Sequence, residues 1–376
     1  MKKQLLRRLA ALCMAGLTLW AVTITVGSTS VPAAIDALKH SGGLSKRLLR
    51  WELGDFFGTD QLSAVTVLAL QQSPLLLTQR SAVAALMASG EGNDDNVEEQ
   101  PVVQPDPVPP NRPVSTDDLT FAPNGVPSQT VIPSSSGSYT VINGVYIKNA
   151  SSRSLDGSVL GSGNFSAQLT GDGPQVLILH THGSEAYSMP AGQEYTPSGT
   201  FRTTDANYNV VRVGDEIASV LSGYGISVLH DRTLHDHPSY NDGYSNSYAS
   251  AVSYLEKYPT LTYILDIHRD AIQDADGNQY KLVSREDPNA AQCCIVMGTS
   301  YDAWQDNLTL AVSVQETIQA QSPTLMRPMT VRNYSYNQQL STGYMLVEIG
   351  AAGNSLDEAI LGARLFAKGF ADTITQ

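Results

Sequence analysis

The sequence predicts an α/β domain between residue 175 and the C-terminus. Short apolar runs alternate there with segments of helical periodicity. The runs are apolar up to their last few residues, as is typical of central strands that are buried on both faces. Strands that alternate with helices favour a largely parallel sheet covered by helices on both faces.

The predicted elements follow one another in regular order. Strands are predicted at residues 175–180, 226–229, 261–268, 293–298 and 344–349. Helices are predicted at residues 210–221, 244–258, 304–321 and 356–374. Because ligands of open α/β sheets bind beyond the carboxyl ends of the strands, we expect the functional residues at those ends.

The N-terminal part predicts a membrane anchor. Residues 1–27 begin with Lys and Arg and continue as an uncharged, mostly apolar run at the short end for a spanning helix. Positive charges on its N-terminal side place that end in the cytoplasm and the remaining chain outside. A cleaved signal peptide is the alternative interpretation.

Two further regions separate this anchor from the α/β domain. Residues 28–90 have a helical pattern and predict a small extracytoplasmic region that packs on itself or meets a partner; a poorly ordered stalk is the alternative. Residues 91–140 are acidic, then rich in Pro and Ser, and predict an extended linker. The α/β domain is then assigned to residues 141–376. The net charge of -13 excludes a nucleic-acid partner, which requires a basic surface.

Polar residues with metal-binding chemistry follow three of the predicted strands. His182 and Glu185 follow the first, His268 ends the second, and Glu348 lies near the end of the third. In a parallel sheet these ends lie on one rim. A catalytic zinc site needs three ligands from His, Asp or Glu and one open position. We therefore interpret His182, Glu185 and His268 as zinc ligands and Glu348 as the general base.

Two neighbouring residues leave the ligand set open. His180 lies two residues before His182, so on a continuing strand it shares that face, either as a ligand or as a group that orients one. Asp205 precedes a predicted helix and is an alternative carboxylate ligand to Glu185; an ordinary helix N-cap is the competing interpretation.

Three more polar residues are candidates for contact with substrate. Arg269 follows the predicted ligand His268 and would suit a peptide carboxylate, unless it forms a structural ion pair with Asp266 or Asp270. His235 and Asp236 lie in a predicted loop, where substrate binding and simple solvation are both open.

The segments VLILHTHGSEAY, RTTDANYNVVRVGDEI, DRTLHDHPSYNDGYSNSY, LDIHRDA and MLVEIGAAGNSLDEA occur in this order between residue 175 and the C-terminus. Together they resemble the stage II sporulation protein P family, with which the anchor and linker also agree. The resemblance implies a three-layer α/β/α fold and zinc-dependent N-acetylmuramoyl-L-alanine amidase activity. It implies zinc on His182, Glu185 and His268, with Glu348 catalytic. It also implies peptidoglycan degradation during engulfment, alongside stage II sporulation protein D-type wall hydrolases.

Other functions compete with this interpretation. Cleavage of stem-peptide cross-links is a variant that the same site supports. A wall-binding scaffold without turnover is a second hypothesis, although His268 and Glu348 are both present. The pair His180 and His182 also suits a barrel-type metal hydrolase, but the domain is short for such a barrel and lacks a second histidine pair. No Gly-x-Ser-x-Gly motif supports a serine hydrolase.

Overall fold

The computed structural model describes residues 118–274 and 276–376. The predicted regions at 1–27 and 28–90, and the first part of the linker, lie outside these residues. The strands are β1 (Ser128–Gln129), β2 (Thr140–Ile142), β3 (Val145–Asn149), β4 (Val176–Leu179), β5 (Val228–His230), β6 (Tyr263–Asp270), β7 (Lys281–Leu282), β8 (Cys293–Gly298), β9 (Met329–Arg332) and β10 (Gly343–Ala351). The helices are α1 (Gly157–Leu160), α2 (Val210–Gly223), α3 (Gly243–Lys257), α4 (Trp304–Gln321) and α5 (Leu356–Ile374).

Eight of these strands form one mixed sheet, in the order β2-β3-β9-β8-β10-β6-β4-β5. Strands β10, β6, β4 and β5 run parallel to one another. Strand β8 runs antiparallel to β10, and β9 and β3 continue parallel to β8. The predicted α/β domain with a central sheet is confirmed. The strands are parallel within two blocks, β10-β6-β4-β5 and β3-β9-β8, and the edge strand β2 pairs antiparallel with β3. The antiparallel pair β8–β10 joins the blocks.

Helices cover both faces of the sheet. Alternate residues of β4 point to opposite faces. Val176 and Ile178 join a large core that includes residues of α2, α4 and α5. Leu177 and Leu179 join a smaller cluster with Ala251 of α3. One face is therefore packed against three helices and the other against α3.

The last part of the predicted linker packs on the domain. Leu119 and Phe121 contact the large core cluster. Strand β1 pairs in parallel with β7, and the Val131 amide donates to Gln292 Oε1 at 2.7 Å. Within the predicted linker at 91–140, the described residues are thus part of the folded unit. Partly buried apolar side chains and a paired strand offset the cost of ordering this Pro- and Ser-rich segment.

In residues 118–274 and 276–376, no helix combines the length and apolar character needed to cross a bilayer. The anchor predicted at residues 1–27 falls outside this part of the chain and stays a prediction.

We expect the contacts of Leu119 and Phe121 to stabilise the domain. Replacing both with Ala should lower the free energy of unfolding by about 1–3 kcal/mol, because apolar surface is lost from a packed contact. Ile132→Ala is the control in the same segment, since this side chain is 39% exposed. It should change stability by less than about 0.5 kcal/mol. Urea denaturation measures both; equal effects would show that residues 119–121 do not belong to the folded unit.

Candidate functional site

The turn after β4 carries two of the predicted ligands. It is closed by a hydrogen bond from the Glu185 amide to the His182 carbonyl at 3.1 Å. Its outer side pairs with residues 201–203: the Ala186 amide donates to Phe201 O and the Thr203 amide to Ser184 O, both at 2.9 Å. These bonds fix the direction in which the His182 and Glu185 side chains leave the turn.

Asp236 holds the same turn from a different loop. The Ser184 amide and hydroxyl donate to its two carboxylate oxygens at 3.0 and 2.5 Å. The Asp236 Oδ2 atom also lies 4.0 Å from His182 Nδ1. Asp236 is buried, so the solvated-loop interpretation of this residue is wrong. The structure shows a positioning role that the sequence did not reveal.

Glu185 and His268 lie side by side. The Glu185 Oε2 atom is 3.5 Å from His268 Nδ1 and accepts the Arg269 amide hydrogen at 3.1 Å. Burial would raise the pKa of Glu185, but His268 and the Arg269 guanidinium lower it overall. Glu185 is therefore ionised at neutral pH, as a metal ligand must be.

Asp266 supports His268 from the same strand. Its Oδ1 atom lies 2.9 Å from His268 Nε2. Although burial lowers the pKa of His268, the carboxylates of Asp266 and Glu185 raise it well above the ordinary value. Asp266 also accepts hydrogen bonds from the Thr181 amide at 2.8 Å and from Tyr344 Oη at 3.2 Å. It thereby ties β4, β6 and β10 together at the site.

Glu348 stands beside His268 on the neighbouring strand. The two residues are paired in the parallel register of β10 and β6. Their chain neighbours Val347 and Ile267 belong to the core facing α2 and α5, so Glu348 and His268 point to the α3 side. The Glu348 Oε2 atom is buried and has no hydrogen-bond partner. Burial and the nearby Asp270 raise the pKa of Glu348.

His182 is enclosed by aromatic rings. Tyr240 stacks on it at a centroid distance of 4.1 Å, and Tyr244 meets it edge-on at 5.6 Å. The His268 ring is perpendicular to it at 5.4 Å. Burial and His268 lower the pKa of His182 to about 4, so the ring is neutral at pH 7. Neutral imidazole is the form that binds metals, and His182 Nδ1 is buried without a hydrogen-bond partner.

The side chains of His182, Glu185, His268 and Glu348 lie close together but are not arranged around a common metal position. Among residues 118–274 and 276–376, no three His, Cys, Asp or Glu side chains surround one point at metal-binding distance. The zinc ligands assigned to His182, Glu185 and His268 therefore stay a prediction, as does the catalytic role of Glu348.

His180 lies on the other face of the sheet. Strand β4 ends at Leu179, and the chain turns before His182, so the expected shared face is wrong. His180 Nδ1 contacts the Ile267 carbonyl at 3.0 Å, and its Nε2 contacts His230 Nε2 at 2.8 Å. Asp215 Oδ1 lies 3.0 Å from the second nitrogen of His230. The two histidines are buried, and through His180 this chain of polar groups supports the backbone next to His268.

The Arg269 side chain is held by contacts within the fold. Its guanidinium donates to the carbonyl oxygens of Ala186 at 3.0 Å and Phe201 at 2.9 Å, and Nη1 lies 3.6 Å from Glu185 Oε1. Its acidic neighbour is thus Glu185, whereas the predicted structural partners were Asp266 and Asp270.

The remaining candidates are also placed. Asp205 is exposed and accepts the Asn207 amide at 2.9 Å, so it closes a local turn. The N-cap of α2 is Asn209. His235 is buried and contacts Asp231 Oδ2 at 3.1 Å, so it is not a solvated loop residue.

The fold and this arrangement define an α/β protein with a His- and Glu-rich site at the carboxyl ends of β4, β6 and β10. Residues 94–371 match the family model of Stage II sporulation protein P (SpoIIP). The chain therefore belongs to the stage II sporulation protein P family, which confirms the resemblance found in the sequence motifs.

Comparisons with individual proteins give more distant similarities. The chain is 27% identical over 216 residues to Stage II sporulation protein P of Bacillus subtilis (strain 168). The match covers 54% of this chain and 52% of the relative, so the chain spans about half the length of this curated relative.

Two solved structures illustrate the structural similarity. N-acetylmuramoyl-L-alanine amidase AmiC2 of Nostoc punctiforme is 16% identical, with 55% of this chain and 97% of that chain covered and a TM-score of 0.32. The CwlD amidase from Clostridioides difficile, in complex with the GerS lipoprotein, is 12% identical, with 54% and 96% covered and a TM-score of 0.35.

We expect Asp236→Ala to destabilise the domain by about 1–3 kcal/mol, because the buried Ser184 amide loses its acceptor. Asp236→Asn keeps an oxygen for that amide and should lose clearly less. Denaturant unfolding of the two variants measures the difference. An alanine variant as stable as the asparagine variant would contradict the positioning role of Asp236.

Gly214 makes room for the contact between His180 and His230. A Cβ atom there would lie 2.6 Å from His230 Nε2 and 2.7 Å from His180 Nε2. We expect Gly214→Ala to cost about 1–3 kcal/mol through overpacking. Gly223→Ala in the same helix has no atom within 4 Å of the new Cβ. It should be neutral or stabilising by up to about 1 kcal/mol through helix propensity. Thermal unfolding that ranks the two variants in the opposite order would refute this account of Gly214.

Proposed function

We propose that the chain is a membrane-anchored, zinc-dependent peptidoglycan hydrolase. It cleaves the amide bond between N-acetylmuramic acid and L-alanine on the wall side of the membrane, during engulfment in sporulation. One observation carries the proposal: His182 Nδ1 and Glu348 Oε2 are buried without hydrogen-bond partners beside the Glu185–His268 pair. A buried polar atom without a partner costs about 1–3 kcal/mol, so such atoms call for a ligand.

The donor set fits zinc in its chemistry. Two imidazoles and one carboxylate are a common ligand combination of catalytic zinc sites. His182, Glu185 and His268 would hold the ion. Without a metal, the Asp266 and Glu185 carboxylates favour a proton on His268. A bound cation would take over the charge of that proton.

Asp266 would keep a second role when the ion is bound. A carboxylate that contacts a ligating imidazole fixes the orientation of its ring. The Asp266 Oδ1 atom lies 2.9 Å from His268 Nε2, although the angle between them does not make a hydrogen bond, and Nδ1 lies 3.5 Å from Glu185 Oε2. We propose that Nδ1, on the Glu185 side, would face the ion.

Glu348 is the general base in this proposal. When bound, zinc would polarise the amide carbonyl and lower the pKa of a water molecule. The Glu348 carboxylate would take a proton from the attacking water and pass it to the leaving nitrogen. Its pairing with His268, one of the predicted ligands, in the strand register supports this role. The raised pKa of Glu348 suits a group that must bind the proton and then release it.

The remaining parts of the proposal come from the sequence and the family. The apolar run in residues 1–27 would anchor the chain, with its N-terminus in the cytoplasm. Membership of the sporulation family supports peptidoglycan as the substrate and a stage II sporulation protein D-type wall hydrolase as a partner. Cleavage of stem-peptide cross-links is the variant activity that the same site would allow.

The test uses the purified full-length chain. We expect near-stoichiometric zinc by elemental mass analysis and release of stem peptides from purified peptidoglycan. His268→Ala should lose the zinc. Glu348→Gln should keep the zinc but lose about 10²- to 10⁴-fold in turnover, the range typical of a positioned general base.

Two control variants make this test specific. Glu256→Gln is the same substitution at an exposed position of α3 and should keep full activity. His237→Ala removes an exposed imidazole and should keep the zinc. Product masses distinguish amidase from endopeptidase. A metal-free chain that binds peptidoglycan without cleaving it would replace the proposal with the wall-binding scaffold.

A further inference from the structure

A cleft of about 410 Å³ adjoins the turn that carries His182 and Glu185. Ser184 and Asp236 line it on the side of the turn, and Arg202 and Tyr240 also line it. Nothing in the proposed hydrolysis uses this cleft. Its size suits part of a small ligand or a few residues of a peptide.

The Arg202 guanidinium is held close to the site through one aromatic ring. Its Cζ atom lies 4.0 Å from the centroid of Tyr240, and Tyr240 stacks on His182 at 4.1 Å. The guanidinium is therefore about one ring away from a predicted metal ligand. A cation over an aromatic face is attracted by the ring quadrupole, which keeps the side chain in place.

The backbone of Arg202 is also fixed. Arg202 forms an antiparallel bridge with Glu185. Its neighbour Phe201 has a φ of 50°, a backbone conformation that is a genuine outlier for a bulky residue. The Phe201 carbonyl accepts hydrogen bonds from the Ala186 amide and from Arg269 Nη2, both at 2.9 Å. A strained residue that its surroundings hold in place is a common feature of ligand sites.

Among residues 118–274 and 276–376, Arg202 has no acidic partner, and its guanidinium lies over the Tyr240 ring. By contrast, Arg212, Arg232, Arg269, Arg327 and Arg364 each lie within ion-pair distance of a carboxylate. Asp236 shares the cleft, but both of its oxygens accept hydrogen bonds from Ser184. Arg202 is thus a half-buried cation whose hydrogen-bond donors remain available for a ligand.

We propose that Arg202 binds a carboxylate of the peptide part of the substrate and so determines which peptides are cleaved efficiently. This inference rests on the proposed hydrolase function. The planar guanidinium matches a carboxylate with two parallel hydrogen bonds. An extended peptide advances about 3.3–3.6 Å per residue, so the carboxylate belongs two or three residues from the scissile amide. Arg269, the arginine that the sequence suggested for this task, is already engaged with the backbone.

The test compares muramoyl peptides that differ only by a free carboxylate or a carboxamide at the second or third peptide residue. For the full-length chain, we expect one of these positions to matter. There, KM for the carboxylate peptide should be about tenfold to a hundredfold lower, as for a hydrogen bond to a charged group, with kcat little changed. Arg202→Gln should abolish the preference, and Arg202→Lys should restore part of it because it keeps the charge but not the fork.

Arg153→Gln is the matched control. Arg153 is an exposed arginine whose Cζ lies 6.0 Å from the centroid of the Trp304 ring, outside the residues that line the cleft. This variant should keep the full carboxylate preference. Its thermal midpoint and that of Arg202→Gln should both match the parent.

Binding to the Glu348→Gln chain gives a second measurement that does not need turnover. The Kd of the carboxylate peptide should be lower than that of its carboxamide by the same factor, and Arg202→Gln on this background should remove the difference. Equal binding of the two peptides would overturn the role of Arg202, as would an equal loss for both peptides in Arg202→Gln. Inorganic phosphate that binds Arg202 more tightly than the peptide carboxylate would also overturn it. A chain that prefers the carboxylate but cleaves nothing would overturn the hydrolase function and leave the binding site in place.

Discussion

The site depends on the buried carboxylate of Asp266. It accepts hydrogen bonds from the Thr181 amide after β4 and from Tyr344 of β10, and it lies next to His268 on its own strand. Three chain segments far apart in sequence are joined at one fully buried group. Burial raises the pKa of Asp266, but His268 and the Thr181 hydrogen bonds lower it to about 2 overall. The carboxylate therefore stays charged in the folded protein. Displacing any of the three segments would remove one of its contacts and leave a buried charge without that partner.

The two faces of the sheet carry different groups of polar residues. On the α3 side, His268 and Glu348 face the aromatic rings around His182. On the α2 side, His180 and His230 form a buried polar pair behind the same strands. Arg269 and Arg202 also have different roles. Arg269 donates to the carbonyl of Phe201 and so fixes the backbone beside Arg202, which lines the cleft.

Long periodic elements were predictable from sequence because their burial pattern is local. Helices α4 and α5 and strand β8 have the predicted bounds. Strands β2, β3 and β9 were missed, since they are short and gain their stability from pairing with strands distant in sequence. The antiparallel direction of β8 could not be predicted from the sequence either, because the apolar pattern of a strand is the same in both directions. The polar residues at the strand ends were predicted to lie together, and the structure brings His182, Glu185, His268 and Glu348 to one side of the sheet. Asp236 was predicted only as a loop residue that could contact substrate, and Arg202 was not predicted, because their contacts with Ser184 and Tyr240 come from other loops.

We have proposed that the polar groups gathered around Asp266 hold a zinc ion. An anomalous difference map at the zinc edge, from crystals of the purified chain, would locate that ion. We predict one peak about 2.0–2.2 Å from His182, Glu185 and His268, the normal ligand distances of zinc. A zinc peak in the map that lies away from these three residues would contradict the proposed site.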